Sequence, residues 1–200
     1  MSEHFRPRAF RLLPLAVLLT LQLAACTAPE TIEPAVTTSS RAPITLAVNQ
    51  VRQAMEAPPP ASGNFKDRRR SARLGEATKD FLGRRLLAGG GEGGLDAVVT
   101  EAILIERPRA TTGGFKGFFI KEPDADLDAS IAVRLSITDG TGLERAFAEI
   151  KVARTRAVTE GLDVIERDAL SEALIEDLLR QLDEKLTSTI DIEMPEYKAF

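Results

Sequence analysis

Residues 130–142 read SIAVRLSITDGTG. Ile131, Val133, Leu135 and Ile137 alternate with Ala132, Arg134, Ser136 and Thr138. Successive side chains of an extended chain point to opposite faces, so this stretch predicts a strand with one apolar and one wetter face. Asp139-Gly140-Thr141-Gly142 then supplies the small and polar residues of a hairpin turn. Beyond it the chain returns from Arg145 to Val158, with Ala146, Ala148, Ile150 and Val152 inward and Arg154 and Arg156 extending the far end. One buried and one solvated face is the pattern of an antiparallel sheet.

Working outward, DAVVTEAILIE at 96–106 predicts another strand, bounded by Gly93-Gly94 and Pro108. Residues 109–127 then read as a long loop before the hairpin. On the other side, Asp163 and Glu166 resemble a capping box that opens a helix to about Leu186. Leu170, Leu174, Ile175, Leu178, Leu179, Leu182 and Leu186 cover about half of its circumference, a breadth that calls for a sheet as partner. Thr187 to Phe200 reads as a tail. Upstream, Ile44-Thr45-Leu46-Ala47-Val48 predicts a first strand running to about Arg52, which joins the sheet at an edge. Residues 54–70, with Pro58-Pro59-Pro60, read as a loop. From Ser71, the spacing of Leu74, Ala77, Phe81, Leu82 and Leu86 predicts a helix, with Glu76 and Asp80 early and Arg84 and Arg85 late, as the helix dipole favours. It stops at Gly89-Gly90-Gly91. The predicted fold is α+β: a two-layer sandwich of a four-stranded, mostly antiparallel sheet with two helices on one face, in the order β-α-β-β-β-α.

The N-terminus differs in kind. His4, Arg6, Arg8 and Arg11 precede an apolar run from Leu12 to about Leu23, and Leu23-Ala24-Ala25-Cys26 follows with the only cysteine of the chain. The run has the length of a signal-peptide core and is short for a bilayer span. The tetrapeptide resembles the lipobox of bacterial lipoproteins. That resemblance implies cleavage before Cys26, a diacylglyceride thioether on Cys26 and acylation of the new amino terminus. It also gives a reason for the lone thiol, a liability if left free in an oxidising compartment. Thr27 stands where relatives retained at the inner membrane carry Asp, which implies outer-membrane sorting with the domain facing the periplasm. Residues 27–43, rich in Pro, Thr, Ser and Ala, read as a disordered tether of roughly 20–25 Å root-mean-square span. The domain organisation is thus a signal peptide at 1–25, lipidated Cys26 and tether at 26–43, a globular domain at 44–190 and a tail at 191–200.

Removing residues 1–25 takes three arginines and one glutamate, so the mature chain is more acidic than the −4 of the whole. An acidic balance argues against nucleic acid as partner. Cleavage also removes His4, the only histidine. With the one cysteine acylated, no Ser-His-Asp triad, Cys-His dyad or His-based zinc site is available. The reading is therefore no enzyme and no cofactor. Gly89-Gly90-Gly91-Glu92-Gly93-Gly94 lacks the Lys-Ser/Thr and the following helix of a phosphate loop. Asp124-Ala125-Asp126-Leu127-Asp128 opens like a calcium loop, yet places Ala129 and Leu135 where that loop needs Gly and Glu.

Two segments invite a binding role. Gly113-Gly114-Phe115-Lys116-Gly117-Phe118-Phe119 crowds aromatic rings among glycines. Phe115, Lys116, Phe118 and Phe119 are candidate partner contacts, the alternative being a loop that plugs one end of the sandwich. Lys66, Arg68, Arg69 and Arg70, with Arg73, form a basic patch suited to anionic groups such as lipid or lipopolysaccharide phosphates, the alternative being a solvated loop.

The layout from Ile44 to about Ile190, with the lipobox and the segment Thr112-Gly113-Gly114-Phe115-Lys116-Gly117-Phe118-Phe119 before the two central strands, resembles small alphaproteobacterial envelope lipoproteins. More distantly it is similar to the auxiliary lipoproteins of lipid-transport ABC systems and to lipopolysaccharide-assembly lipoproteins. The resemblance implies a lipid-anchored envelope protein with an envelope protein as partner. Two roles follow: a non-catalytic accessory or scaffold of an envelope complex, or a lipid- or glycan-binding auxiliary. A large apolar cavity beneath the helices favours the second; a filled core favours the first.

Overall fold

The computed structural model describes residues 41–61, 64–109 and 123–199, all within the unit 37–200. The elements are β1 (Ile44–Leu46), β2 (Gln50–Met55), α1 (Phe65–Arg85), β3 (Leu86–Ala88), β4 (Gly94–Pro108), β5 (Pro123–Thr138), β6 (Glu144–Thr159), α2 (Val164–Glu193) and a 3-10 turn at Pro195–Tyr197. The main sheet has the order β2-β4-β5-β6, and a separate pair joins β1 to β3. β4, β5 and β6 form the expected antiparallel meander. β2 lies parallel to β4 at one edge, with α1 in the crossover that a parallel pair requires.

The alternation seen in the sequence extends along all of β5. Ala125, Leu127, Ala129, Ile131, Val133, Leu135 and Ile137 are buried, while the residues between them stay accessible. Ala148, Ile150 and Val152 continue this face onto β6. α1 packs on β4 and β2, and α2 packs on β6 and β5. From α2, Leu174, Ile175, Leu178, Leu182, Leu186 and Ile190 enter the core, and from α1, Leu74, Phe81 and Leu82. Burying each such side chain contributes about 1.5–3 kcal/mol. The two layers and the helices on one face thus follow from the polarity pattern.

The hairpin turn is held by Asp139. Its Oδ1 accepts the Thr141 and Leu143 amides at 2.8 and 3.0 Å, and its Oδ2 accepts the Arg145 Nε–H at 2.7 Å. The Thr141 hydroxyl, which also donates to Oδ1 at 2.6 Å, and then these donors hold the Asp139 carboxyl well below the usual carboxylate range. Gly142 turns with φ +85°. At the same end of the sheet Gly93 has φ +76°, and a Cβ there would stand 1.8 Å from the Thr138 carbonyl oxygen, so only glycine fits.

Five boundaries differ from expectation, one being that α1 ends at Arg85 and Leu86–Ala88 form β3 instead of continuing the helix to Gly89. The first strand is two: the Val48 amide turns back to the Leu46 carbonyl at 2.8 Å, a tight turn that moves the chain from β3 to β4. α1 begins at Phe65, so the basic run is helical rather than loop, because the Asn64 side chain caps it by accepting the Asp67 amide at 3.0 Å. β5 begins at Pro123, well inside the expected loop. α2 continues to Glu193, so the end of the chain is no free tail. Met194 is fully buried, and the segment after it bonds to β1 and the residue that follows it, through Ala199 N–H to the Thr45 carbonyl (2.9 Å) and Ala47 N–H to the Tyr197 carbonyl (2.7 Å).

Candidate functional site

Cys26 and the contacts expected at Phe115, Lys116, Phe118 and Phe119 lie outside the described residues. The basic patch lies within them. Lys66, Arg68 and Arg69 are exposed on α1, whereas Arg70 is buried. The Arg70 guanidinium donates to Glu106 of β4 at 2.8 Å and to Asp168 of α2 at 3.5 Å. Arg69 reaches Asp168 at 3.3 Å, and Arg73 reaches Glu172 at 3.4 Å. From the other helix, Arg167 donates to Glu106 and, at 2.7 Å, to Asp124 of β5. These bonds raise its pKa, the hydrogen bond to Asp124 most of all. The Glu106 amide in turn donates to Asp67 at 3.2 Å. Two helices and two strands therefore meet in one network, in which the Arg70 Nε and Asp124 Oδ1 atoms are buried without a hydrogen-bond partner among the described residues.

The partners of α1 and α2 advance together along both helices, from Arg69 and Asp168 through Arg73 and Glu172 to Arg85 and Asp183. The helices thus run side by side in the same direction. Their N-terminal halves leave a groove of about 320 Å³ walled by Arg69, Arg70, Arg73, Asp168, Glu172 and Ile175. Three guanidinium groups meet two carboxylates there, so the groove suits a polar or zwitterionic group better than an acyl chain. Beneath the helices the space is filled: Leu74, Leu82, Leu174 and Leu178 are fully buried.

The sequence assigns Arg85 only to the helix dipole and Asp183 to the wetter side of α2, whereas both are buried. Their side chains are each 5% exposed and meet at 2.5 Å, and Arg85 also donates to the Thr187 hydroxyl at 3.0 Å and to the Ala42 carbonyl. The signal was present: Arg85 continues the buried stripe of Leu74, Thr78 and Phe81, and Asp183 lies next to Leu182 on the stripe of α2. Charges on an apolar stripe call for each other.

The outer face of the sheet is laced with charge. Lys151 donates to Glu101 at 2.8 Å, Arg109 to Asp126 at 2.7 Å and Arg52 to Asp96 at 2.7 Å. Bonds from Lys151 and Ser130 hold Glu101 below its ordinary pKa, and bonds from Arg107 and Thr155 do the same for Asp128. Between these pairs lies a shallow groove of about 290 Å³ over Ile103, Ser130 and Ala153. Among the described residues, no group of three or more His, Cys, Asp or Glu side chains is placed to hold a metal ion.

No protein-family model and no curated protein matches the chain. Solved structures similar to it include the minor lipoprotein from Acinetobacter baumannii, at 15% identity and a TM-score of 0.34 over 70% of this chain and 91% of that one. The rare lipoprotein B from Shewanella oneidensis is 11% identical, with a TM-score of 0.39 over 72% of this chain and 95% of that one. A lipoprotein B from Nitrosomonas europaea is 16% identical, with a TM-score of 0.37 over 73% and 84%.

Proposed function

We propose that the chain is a lipoprotein anchored to the bacterial envelope through acyl chains on Cys26, and that its domain is a non-catalytic accessory or scaffold of an envelope protein complex. The observation that carries the reading is Leu23-Ala24-Ala25-Cys26, closing a basic and then apolar N-terminus around the only cysteine. No helix among the described residues is long and apolar enough to cross a membrane; the anchor in this reading is the acyl chains on Cys26. Several chains together hold a protein stably, at about 0.8 kcal/mol for each buried CH₂. The filled core beneath the helices supports a scaffold over a lipid carrier. The groove between the helices, with Arg69, Arg70 and Arg73 on its walls, supports the second role, binding of a lipid head group or glycan.

The test is Cys26→Ser. The variant is expected to leave the membrane fraction or to stay unprocessed, and to incorporate no labelled palmitate. Normal processing and membrane retention of that variant overturn the reading. Thr27 at the following position supports sorting to the outer membrane, and density fractionation that recovers the protein with the inner membrane rejects it. In the Phe115–Phe119 segment, Phe118→Ala with Phe119→Ala is expected to keep the fold and lose the envelope partner. Loss of folding would instead assign the rings to the core.

A further inference from the structure

We infer that the open edge of β6 between Ala153 and Ala157 adds an extended, acidic strand of a partner protein to the sheet. The inference rests on the accessory reading above and names the surface through which it would act. β6 is 16 residues long and closes the sheet on the side away from β2. Its pairing with β5 is continuous from Ala125↔Val158 to Ile137↔Ala146. Edge strands commonly carry charged side chains, a proline, a bulge or a cover that prevents further pairing. Here the strand contains no proline, and the register shifts only near its ends. Ala153, Arg154, Thr155, Arg156 and Ala157 are all exposed.

The direction of the unpaired backbone groups follows from one contact. The Lys185 ammonium of α2 donates to the Lys151 carbonyl at 3.0 Å. α2 reaches that oxygen from outside the β5–β6 ladder, so Lys151 turns its backbone groups away from β5. In an antiparallel ladder every second residue does the same. Ala153, Thr155 and Ala157 therefore present N–H and C=O groups along the open edge, and no backbone bond from them to another element occurs among the described residues.

The side chains specify the occupant. Arg154 and Arg156 pair with Ala129 and Leu127 and so share the helix side of the sheet. Arg154 meets Asp177 at 3.2 Å with half of its side chain exposed. Arg156 makes no ion pair among the described residues. All charged residues from Lys151 to Ala157 are cations. On the other face, Ala153 is small and borders the groove over Ile103 and Ser130, which leaves space for an apolar side chain. A complementary strand thus carries acidic residues on the helix side and apolar ones on the outer side. A second copy of this edge is a poor occupant: antiparallel pairing centred on Thr155 sets Arg154 against Arg156 on both sides, and like charges directly opposite are destabilising. The arginines that deter self-pairing are those that attract an acidic strand.

The probe is a short fluorescein-labelled peptide alternating Glu with Val, titrated against the full processed chain in detergent. Binding is expected to slow exchange of the Ala153, Thr155 and Ala157 amides at least about tenfold, and to leave those of Arg154 and Arg156, already bonded within the sheet, unchanged. Thr155→Pro removes one outward donor without touching the β5 ladder. It should bind at least about tenfold more weakly than Thr155→Ala, which loses the same hydroxyl and keeps the N–H. A Glu-Val peptide methylated on its backbone nitrogens should not bind the wild-type chain, which keeps the test sharp if Thr155→Pro fails to fold. Equal binding of a Lys-Val peptide, binding without protection of the three amides, or their protection by self-association of the free chain would each overturn the inference. Loss of Cys26 acylation would count against the accessory reading and leave this titration untouched, and a failed titration would leave the acylation standing.

Discussion

Asp183→Ala tests how the helices are joined. Asp183 and Arg85 are each 5% exposed and 2.5 Å apart, so neither charge is well hydrated. Removing the carboxylate leaves the Arg85 guanidinium buried, with the Thr187 hydroxyl and the Ala42 carbonyl as its remaining acceptors among the described residues. Breaking a buried pair from one side costs about 3–5 kcal/mol. Arg41 also faces Asp183, at 3.6 Å and half exposed, and contributes little. A domain of this size has about 5–15 kcal/mol in total and a urea slope of about 2 kcal/mol per molar, so the midpoint should fall by roughly 1.5–2.5 M. Equilibrium urea unfolding followed by circular dichroism reads this directly. Arg85→Met combined with Asp183→Leu removes both charges and fills the volume, and should lose much less than the single variant. A single variant within about 1 kcal/mol of wild type would mean that Arg85 regains water and that the interface is not dry. A double variant as damaged as the single one would place the cost in packing rather than in the stranded charge.

Leu174→Asp and Leu178→Asp each put an unpaired carboxylate between α2 and the sheet, where burial costs several kcal/mol, so both should accumulate poorly and melt far below wild type; normal levels and melting in both would remove that face from the core. Asp139, Glu101, Asp128 and Glu144 all have folded pKa values depressed by their hydrogen-bond donors. Their contribution is complete above the unfolded carboxylate values near 4 and is lost as pH falls through the folded ones, so the urea midpoint should hold from about pH 7 to 5 and drop on further acidification. Asp139→Asn should flatten part of that drop, and a midpoint that is level down to about pH 3 would contradict the assignment.

The meander and α2 were legible because their polarity follows the period of the element that forms: two for β5 and β6, and 3.6 for α2. The rest was set by contacts that lie far along the chain. The split between β1 and β2 carries no Gly or Pro; it depends on β3 and on the segment after Met194, which satisfy the backbone on either side of the tight turn. The end of α2 had a signal in Ile190, four residues beyond Leu186 on the same face, masked by the polar residues around it. The start of α1 had its cap in Asn64 followed by Asp67, yet four cations in the first two turns argue against a helix beginning there. The same distance hid the site. Nothing in the local pattern says that Arg70 turns inward toward Glu106.

Those cations show why the two helices tolerate a parallel arrangement. Side by side and pointing the same way, α1 and α2 bring like ends together, each equivalent to roughly half a positive charge at its N-terminus. Lys66, Arg68, Arg69 and Arg70 add to that repulsion on α1. The offset comes from outside the helix: Asp168 and Glu172 on α2, and Glu106 on β4. Asp168 also stands near the start of α2, where Glu166 of the capping box and other carboxylates are favoured, so Asp168 serves both helices. The N-terminal halves are therefore one shared charge network, and Arg70 is a structural cation held within it. Arg69 and Arg73 are bound more loosely, at 3.3 and 3.4 Å and mostly exposed. An anion entering that groove must compete with Asp168 and Glu172 for them. At the β6 edge Arg156 faces no such competitor among the described residues, and the open backbone beside it adds main-chain hydrogen bonds that the groove does not offer. The edge is for that reason the stronger docking surface of the two.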